Sequence, residues 1–237
     1  MSRHRLHSTL RRMREDWDQR ARTNARYYVA TGREDWTDEE FFASGRQEIA
    51  EDILNDLENV CQGRDPRSMR VLEIGCGAGR VTRALAECFG EVHAVDVSGE
   101  MVRLAREAVS GMANVFVYQN NGMDVSVAPN VPFDFAFSVI VFQHIPSRDV
   151  IESYVRDVGR LLRPGSLFKF QVLGRPAGKP SRWRKLVRRL RPNRNNSWFG
   201  VTIDSDEAQA IADRCGFELR YQTGTGTSEY WLWFFKR

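Results

Sequence analysis

Gly75, Gly77 and Gly79 occupy every second position directly after the apolar run Val71–Ile74, with Glu73 two residues before the first of them and Asp96 closing a second apolar run. Glycine at such a place lets the backbone turn tightly and approach a ligand with no Cβ in the way. A dinucleotide loop would read GxGxxG and a phosphate loop would need GK[ST]; here the third glycine follows two residues after the second, and Arg80 comes next. What remains is a nucleoside ligand without a pyrophosphate. An acid at the end of the second strand can accept hydrogen bonds from both ribose hydroxyls, which suits Asp96. Glu73, beside the loop, suits a positively charged group. The polar corner Asn120-Asn121-Gly122-Met123-Asp124 could meet the rim of a purine.

These groups converge only if the chain brings several strand ends together, and its patterning does so. From Arg70 onward the sequence alternates: strand Val71–Ile74, helix Val81–Phe89, strand Val92–Val97, helix Glu100–Val109, strand Val115–Gln119, strand Phe133–Val139, helix Arg148–Leu162 and strand Leu167–Val172. Strands alternating with helices of this length predict βαβ units and a mostly parallel sheet. Ligands of such sheets bind at the carboxyl ends of the strands, near the point where strand order reverses. A helix over Asp206–Cys215 and two strands, Glu218–Gln222 and Glu229–Phe235, close the chain, with Gly224 and Gly226 as the turn of a hairpin. Ahead of the sheet, Asp16–Ala30 reads as a helix presenting Trp17, Ala21, Asn24 and Tyr28 on one side. Thr37 with Glu40, and Ser44 with Gln47, each fit a capping box, and Ile49, Ile53, Leu54 and Leu57 follow at helical spacing.

At 237 residues and 42% hydrophobic content, the chain can bury one sizeable core. No run approaches the roughly 20 apolar residues of a membrane span, and the first residues lack the apolar stretch of a secretory signal. A cytoplasmic protein is expected. Arg3, Arg5, Arg11, Arg12 and Arg14 read as a frayed basic tail. Cys61, Cys76, Cys88 and Cys215 have neither CxxC spacing nor matched histidines, so no metal site and no disulfide framework is expected, and Cys76 reads as a small buried filler. The net charge of +4 is too small to diagnose nucleic-acid binding.

The glycine loop, the acid after strand two, the polar corner after strand three, Phe142-Gln143-His144-Ile145-Pro146 after strand four, and Arg163-Pro164-Gly165-Ser166 before strand five resemble, in motif and in order, the S-adenosylmethionine-dependent methyltransferases of the Rossmann-like class, whose first motif is (D/E)xGxGxG. The resemblance runs from about Glu40 to the last residue. It implies an α/β fold: a single-domain, seven-stranded, mostly parallel sheet in the order 3-2-1-4-5-7-6, antiparallel in its last strand, with helices on both faces. Residues 1–45 would be a tail and helical lid, and residues 46–237 the Rossmann-like domain with an insertion at about 173–203. It also implies S-adenosylmethionine as cofactor and S-adenosylhomocysteine as product. Glu73, Gly75 and Gly77 would hold the methionine part, Asp96 the ribose, Asn121 with Gly122 the adenine edge; Ser138 ends the fourth strand at the site, and Arg46 could pair with the cofactor carboxylate or be a solvated helix-start arginine. Two positions depart from the pattern: Asn121 stands where the family commonly has Asp, and Ser166 where it has a second glycine.

By the same resemblance, His144 lies near the expected methyl. It could take a proton from a hydroxyl near neutral pH, or brace the turn that starts the Arg148 helix; Gln143 shares that position. The N-terminal helices and the 173–203 stretch would lie over the cofactor, with Tyr28 and Trp36 among the aromatic residues available to line a substrate pocket. Between Arg182 and Arg194 stand seven basic residues and no acid, an amphipathic pattern that could contact an anionic substrate, RNA or a membrane surface, or be a solvated helix. The reading is a methyltransferase acting at oxygen or nitrogen of a small molecule. An RNA or protein methyltransferase and a cofactor-binding protein without catalysis are the alternatives.

Overall fold

The computed structural model describes residues 3–175 and 200–237. The basic stretch Arg182–Arg194 and most of the expected insertion lie outside the described residues. Seven strands form one sheet in the order β3-β2-β1-β4-β5-β7-β6: β1 (Arg70–Ile74), β2 (Glu91–Asp96), β3 (Val115–Gln119), β4 (Phe133–Ser138), β5 (Leu162–Leu173), β6 (Phe217–Thr223) and β7 (Glu229–Lys236). The strands from β3 to β5 are parallel, and β7 runs antiparallel to both β5 and β6. This is the expected order, with the reversal between β1 and β4 that opens a crevice at their carboxyl ends.

Alternation along β1 sends its side chains to two cores. Val71 packs with Val81 and Leu85 of α4 (Arg80–Cys88), with Phe89 just after it, and with Ile49 of α2 (Asp38–Asp52), while Leu72 and Ile74 pack on the other face with Val155 and Val158 of α6 (Arg148–Leu161) and with Ile211 of α7 (Ser205–Cys215). Helix α5 (Gly99–Ala108) covers β2 and β3 through Val102 and Ala105.

The first helix differs from its expected bounds. It runs over Arg3–Val29, broken by non-helical angles at Asn24, instead of beginning at Asp16. Its N-terminal half is no frayed tail, because Leu10 and Met13 repeat at helical spacing and are buried in the same core as α6. Thr37 caps α2 with the expected reciprocal box on Glu40. Ser44 does not start a helix: its hydroxyl donates to Phe41 O inside α2. The boundary expected between residues 45 and 46 therefore falls within one helix, and Leu54 and Leu57 leave the apolar face for solvent in the short turn and α3 (Leu57–Cys61) that follow. No helix among the described residues is long and apolar enough to cross a membrane.

Candidate functional site

A cleft of about 860 Å³, counting its open mouth, lies at the carboxyl ends of β1, β2 and β4, within the range typical of small-molecule sites. Its floor is the loop after β1, where Gly75 and Gly77 hold φ of +80° and +52°. A Cβ on Gly75 would sit 2.1 Å from Val141 Cγ2, and one on Gly77 2.7 Å from Val29 Cγ2, so larger residues would push the loop into its neighbours.

Two carboxylates face this cleft. Glu73 is 3% exposed and its Oε2 has no hydrogen-bond partner. Burial pushes its carboxyl up to about 7, against the pull of Thr82 and the Arg80 guanidinium. Asp96 ends β2 and is tied to both flanking loops: Gly77 N donates to Oδ2 at 2.9 Å and Ser98 N to Oδ1 at 2.8 Å. Burial raises it to about 6, opposed by those backbone donors. Each oxygen keeps a further lone pair for a ligand.

Helix α1 forms the roof. Asp18 accepts from Ser98 Oγ at 2.6 Å and from Glu100 N at 3.2 Å, fastening α1 to the start of α5. Met13, Trp17, Tyr28 and Val29 then line the cleft. His144 lies in the turn after β4, 6% exposed, with Trp17 edge-on at 5.1 Å between ring centroids. Its Nε2 is 3.3 Å from the Gln143 amide nitrogen. Cys76 also borders the cleft, and burial raises its thiol well above the ordinary range, which makes it a filler, not a nucleophile.

Several expected site residues lie elsewhere. Asn121 is exposed, its side chain closing an Asx turn onto Met123 N and Asp124 N, and the neighbouring Asn120 lines the cleft instead. Asn120 is buried between the Tyr154 hydroxyl, 2.9 Å from its Nδ2, and Gly122 N, which donates to its Oδ1. Gly122 itself packs against Val97 and Met13, outside the lining. Ser138 is buried in the sheet, its hydroxyl donating to Ile74 O at 2.8 Å. Arg46 points to Glu87 across 3.9 Å, half exposed, away from the cleft. Trp36 donates its Nε1 to Ala30 O and fastens the α1–α2 connection. Gln143 touches His144 without reaching the lining. For Asn121 and Trp36 the displacement comes from a local backbone partner that takes the polar atom first.

Ile140 and Arg80 are among the lining residues that carried no sequence signal. Ile140 adopts φ of +58°, a left-handed angle that costs a β-branched residue about 1–3 kcal/mol; its N–H is held by buried Gln171 Oε1 at 3.0 Å. Arg80 is 5% exposed, with Nη1 donating to Ser44 O at 3.2 Å and Nη2 to Glu48 Oε2 at 3.1 Å. Among the described residues no cluster could hold a metal ion.

Residues 71–165 match a family model described as a methyltransferase domain. A ubiquinone biosynthesis O-methyltransferase of Xanthomonas oryzae pv. oryzae is 28% identical over 120 residues, 50% of this chain and 49% of that protein. The chain thus spans about half the length of the curated relatives it matches. Magnesium protoporphyrin IX methyltransferase from Synechocystis PCC 6803, crystallised with SAH, shares the fold with a TM-score of 0.65 at 16% identity, over 94% of this chain and 98% of that one. The DhpI–SAH complex gives 0.60 at 20% identity, over 94% and 97%.

Proposed function

From the premise that residues 71–165 are a methyltransferase domain on the Rossmann-like fold of the S-adenosylmethionine-dependent class, we propose that the protein transfers a methyl group from S-adenosylmethionine to an oxygen or nitrogen of a small molecule. One observation carries this reading: a buried carboxylate with an unpartnered oxygen, Glu73, faces the same cleft as Asp96 at the end of the next strand. That pair, beside a loop only glycine can form, fits a ligand with a cation near a ribose and no pyrophosphate. The cofactor supplies, when bound, a sulfonium methyl open to direct displacement.

The chain's own residues do the rest. Glu73 binds the ammonium, Asp96 the ribose hydroxyls, and Asn120, in place of Asn121, meets the purine edge. Gly75 and Gly77 let the backbone lie against the ligand. Trp17 and Tyr28, held over the cleft by α1, exclude water and align the acceptor, which is most of what a displacement requires. His144 takes the acceptor's proton when the acceptor is a hydroxyl. The small-molecule class is supported by the names of the relatives, an O-methyltransferase of ubiquinone biosynthesis and a magnesium protoporphyrin IX methyltransferase.

Calorimetry with S-adenosylhomocysteine tests the cofactor first. The folded protein should bind it, and Asp96→Ala should weaken binding by about 1.5–3 kcal/mol, the scale of lost charge-assisted hydrogen bonds; absence of binding to the wild type sinks the proposal. With an acceptor found among phenols and amines, His144→Ala should lower turnover by about 10² or more while leaving cofactor affinity intact. A lowered melting temperature with turnover within about threefold of wild type would make His144 a brace for the turn.

A further inference from the structure

Two non-glycine residues among the described ones take a positive φ, Gln62 and Ile140. Gln62 ends α3, where a left-handed residue is ordinary. Ile140 stands in the turn that leaves β4 and lines the cleft, and a branched Cβ makes that angle costly where glycine or asparagine would take it freely. Such strain persists only where the surroundings over-determine it. Here the surroundings are Gln171 of β5, 5% exposed, whose Oε1 accepts the Ile140 N–H at 3.0 Å just beyond Ser138, where β4 stops pairing with β5. Gln171 itself is not among the residues lining the cleft.

We propose that Gln171 is a positioning residue for ligand binding: by holding Ile140 left-handed it keeps Val141 seated on the glycine loop, which is thereby fixed before any ligand arrives. The inference rests on the cofactor reading above and adds to it a residue that does not touch the ligand. The link runs through Val141. The left-handed residue turns the chain back after β4, and Val141 then fills the space over Gly75, its Cγ2 and Cγ1 lying 2.1 and 2.7 Å from where a Cβ on that glycine would stand. Val141 O also accepts from His144 N at 2.9 Å, so the same turn begins the segment that carries His144. Without the Gln171 acceptor, the Ile140 N–H loses its partner and the strained angle loses its compensation. The turn then relaxes, Val141 withdraws from Gly75, and a ligand must rebuild both, so affinity falls by the fraction of molecules that still hold the strained turn.

Calorimetry with S-adenosylhomocysteine on the full chain tests this as a double-mutant cycle. Gln171→Met, which keeps the volume and removes the acceptor, should weaken binding by about 5- to 100-fold, the population penalty of rebuilding a left-handed β-branched residue. In an Ile140→Gly background, where the angle needs no brace, the same Gln171→Met should cost less than about threefold. The strain has its own readout: Ile140→Gly and Ile140→Ala delete the same side chain, yet glycine should melt higher by about 2–4 °C, the reverse of the usual order of these two residues. A Gln171 that served structure alone would lower the melting temperature in both backgrounds and leave affinity unchanged. A folded Gln171→Met that binds within about threefold of wild type, an equal loss of affinity in both backgrounds, or alanine melting at or above glycine would each overturn the assignment. Should Gln171→Met fail to fold, Gln171→Asn, which draws the acceptor back by one methylene, goes through the same cycle with the same expectation. If folded wild type does not bind S-adenosylhomocysteine, the cofactor reading fails and takes this inference with it; wild-type binding without coupling between positions 171 and 140 leaves that reading standing and removes only the role of Gln171.

Discussion

The two ends of the same strands treat their carboxylates in opposite ways. At the amino ends, Glu91 of β2 receives a bidentate pair from Arg70 of β1 at 2.6 and 3.1 Å, with His93 Nε2 2.5 Å from Oε1. Those hydrogen bonds, Arg70 first, hold Glu91 down to about 2. Asp134 at the start of β4 is met by Arg64 at 2.7 Å, Arg163 at 2.9 Å and Arg70 N at 2.8 Å. At the carboxyl ends, Glu73 and Asp96 have no bonded cation and are pushed upward, to about 7 and about 6. One end is built to be satisfied within the chain, the other to be completed by something that binds. A chain selected only for stability would pair both ends; leaving Glu73 buried with a free oxygen costs the folded state, and that cost marks the site.

The contrast makes opposite mutations at opposite ends behave oppositely. Asp134→Ala should be the most damaging, about 3 kcal/mol by chemical denaturation, because it removes a buried carboxylate and strands a half-buried backbone N–H and two arginines at once. Loss of less than about 1 kcal/mol would mean that the amino end is not held by this hub. Glu73→Gln should do the reverse to the free protein. Its folded-state value of about 7 lies above the ordinary 4.5, so the folded form takes up a proton between those limits. Its contribution therefore favours folding below about 4.5 and is lost as the pH rises through about 7. Replacing it by a neutral amide should stabilise the ligand-free protein by about 2 kcal/mol at pH 8, a gain that fades toward pH 5, while cofactor affinity falls. A variant less stable than wild type at pH 8 would break the comparison.

Much of this architecture could be read in the residues. The sheet order, the glycine loop and the acid after β2 were legible because strand alternation, a (D/E)xGxGxG motif and its spacing to Asp96 each depend on backbone geometry that nearby residues dictate. The length of α1 was not, because Arg3, Arg5, Arg11, Arg12 and Arg14 mask the Leu10 and Met13 stripe, and only the packing of that stripe on the α6 core shows it to be structural. The choice between Asn120 and Asn121 was beyond a reading of sequence as well: adjacent residues at a strand end point to opposite sides, and a Tyr154 hydroxyl from a helix 34 positions away decides which is buried. Arg80 was invisible for the same reason, since its setting is made by Ser44 and Glu48 of α2.

The smallest expected effect tests the satisfied end by its own pH dependence. Glu91 has a folded-state value of about 2, below its ordinary 4.5, so the unfolded chain takes up the proton first as the solution is acidified. The stability it contributes is thus present above about 4.5 and disappears as the pH falls through about 2, the opposite direction to Glu73. The carboxylate is about one-third exposed, which screens the pair, so Glu91→Gln should cost only about 1 kcal/mol at pH 7. That cost should shrink through the acid limb, where wild type and variant converge. His93 gives the control: burial lowers its pKa, so the ring is the neutral partner of Glu91 in the neutral range, and its contribution does not mimic a second ion pair there. Denaturation midpoints of wild type and Glu91→Gln at pH 7, 4 and 3 measure the convergence. A difference that stays constant across the series would mean that the Arg70–Glu91 pair holds the strands by shape and not by charge, and the two ends of the sheet would differ less than their carboxylates suggest.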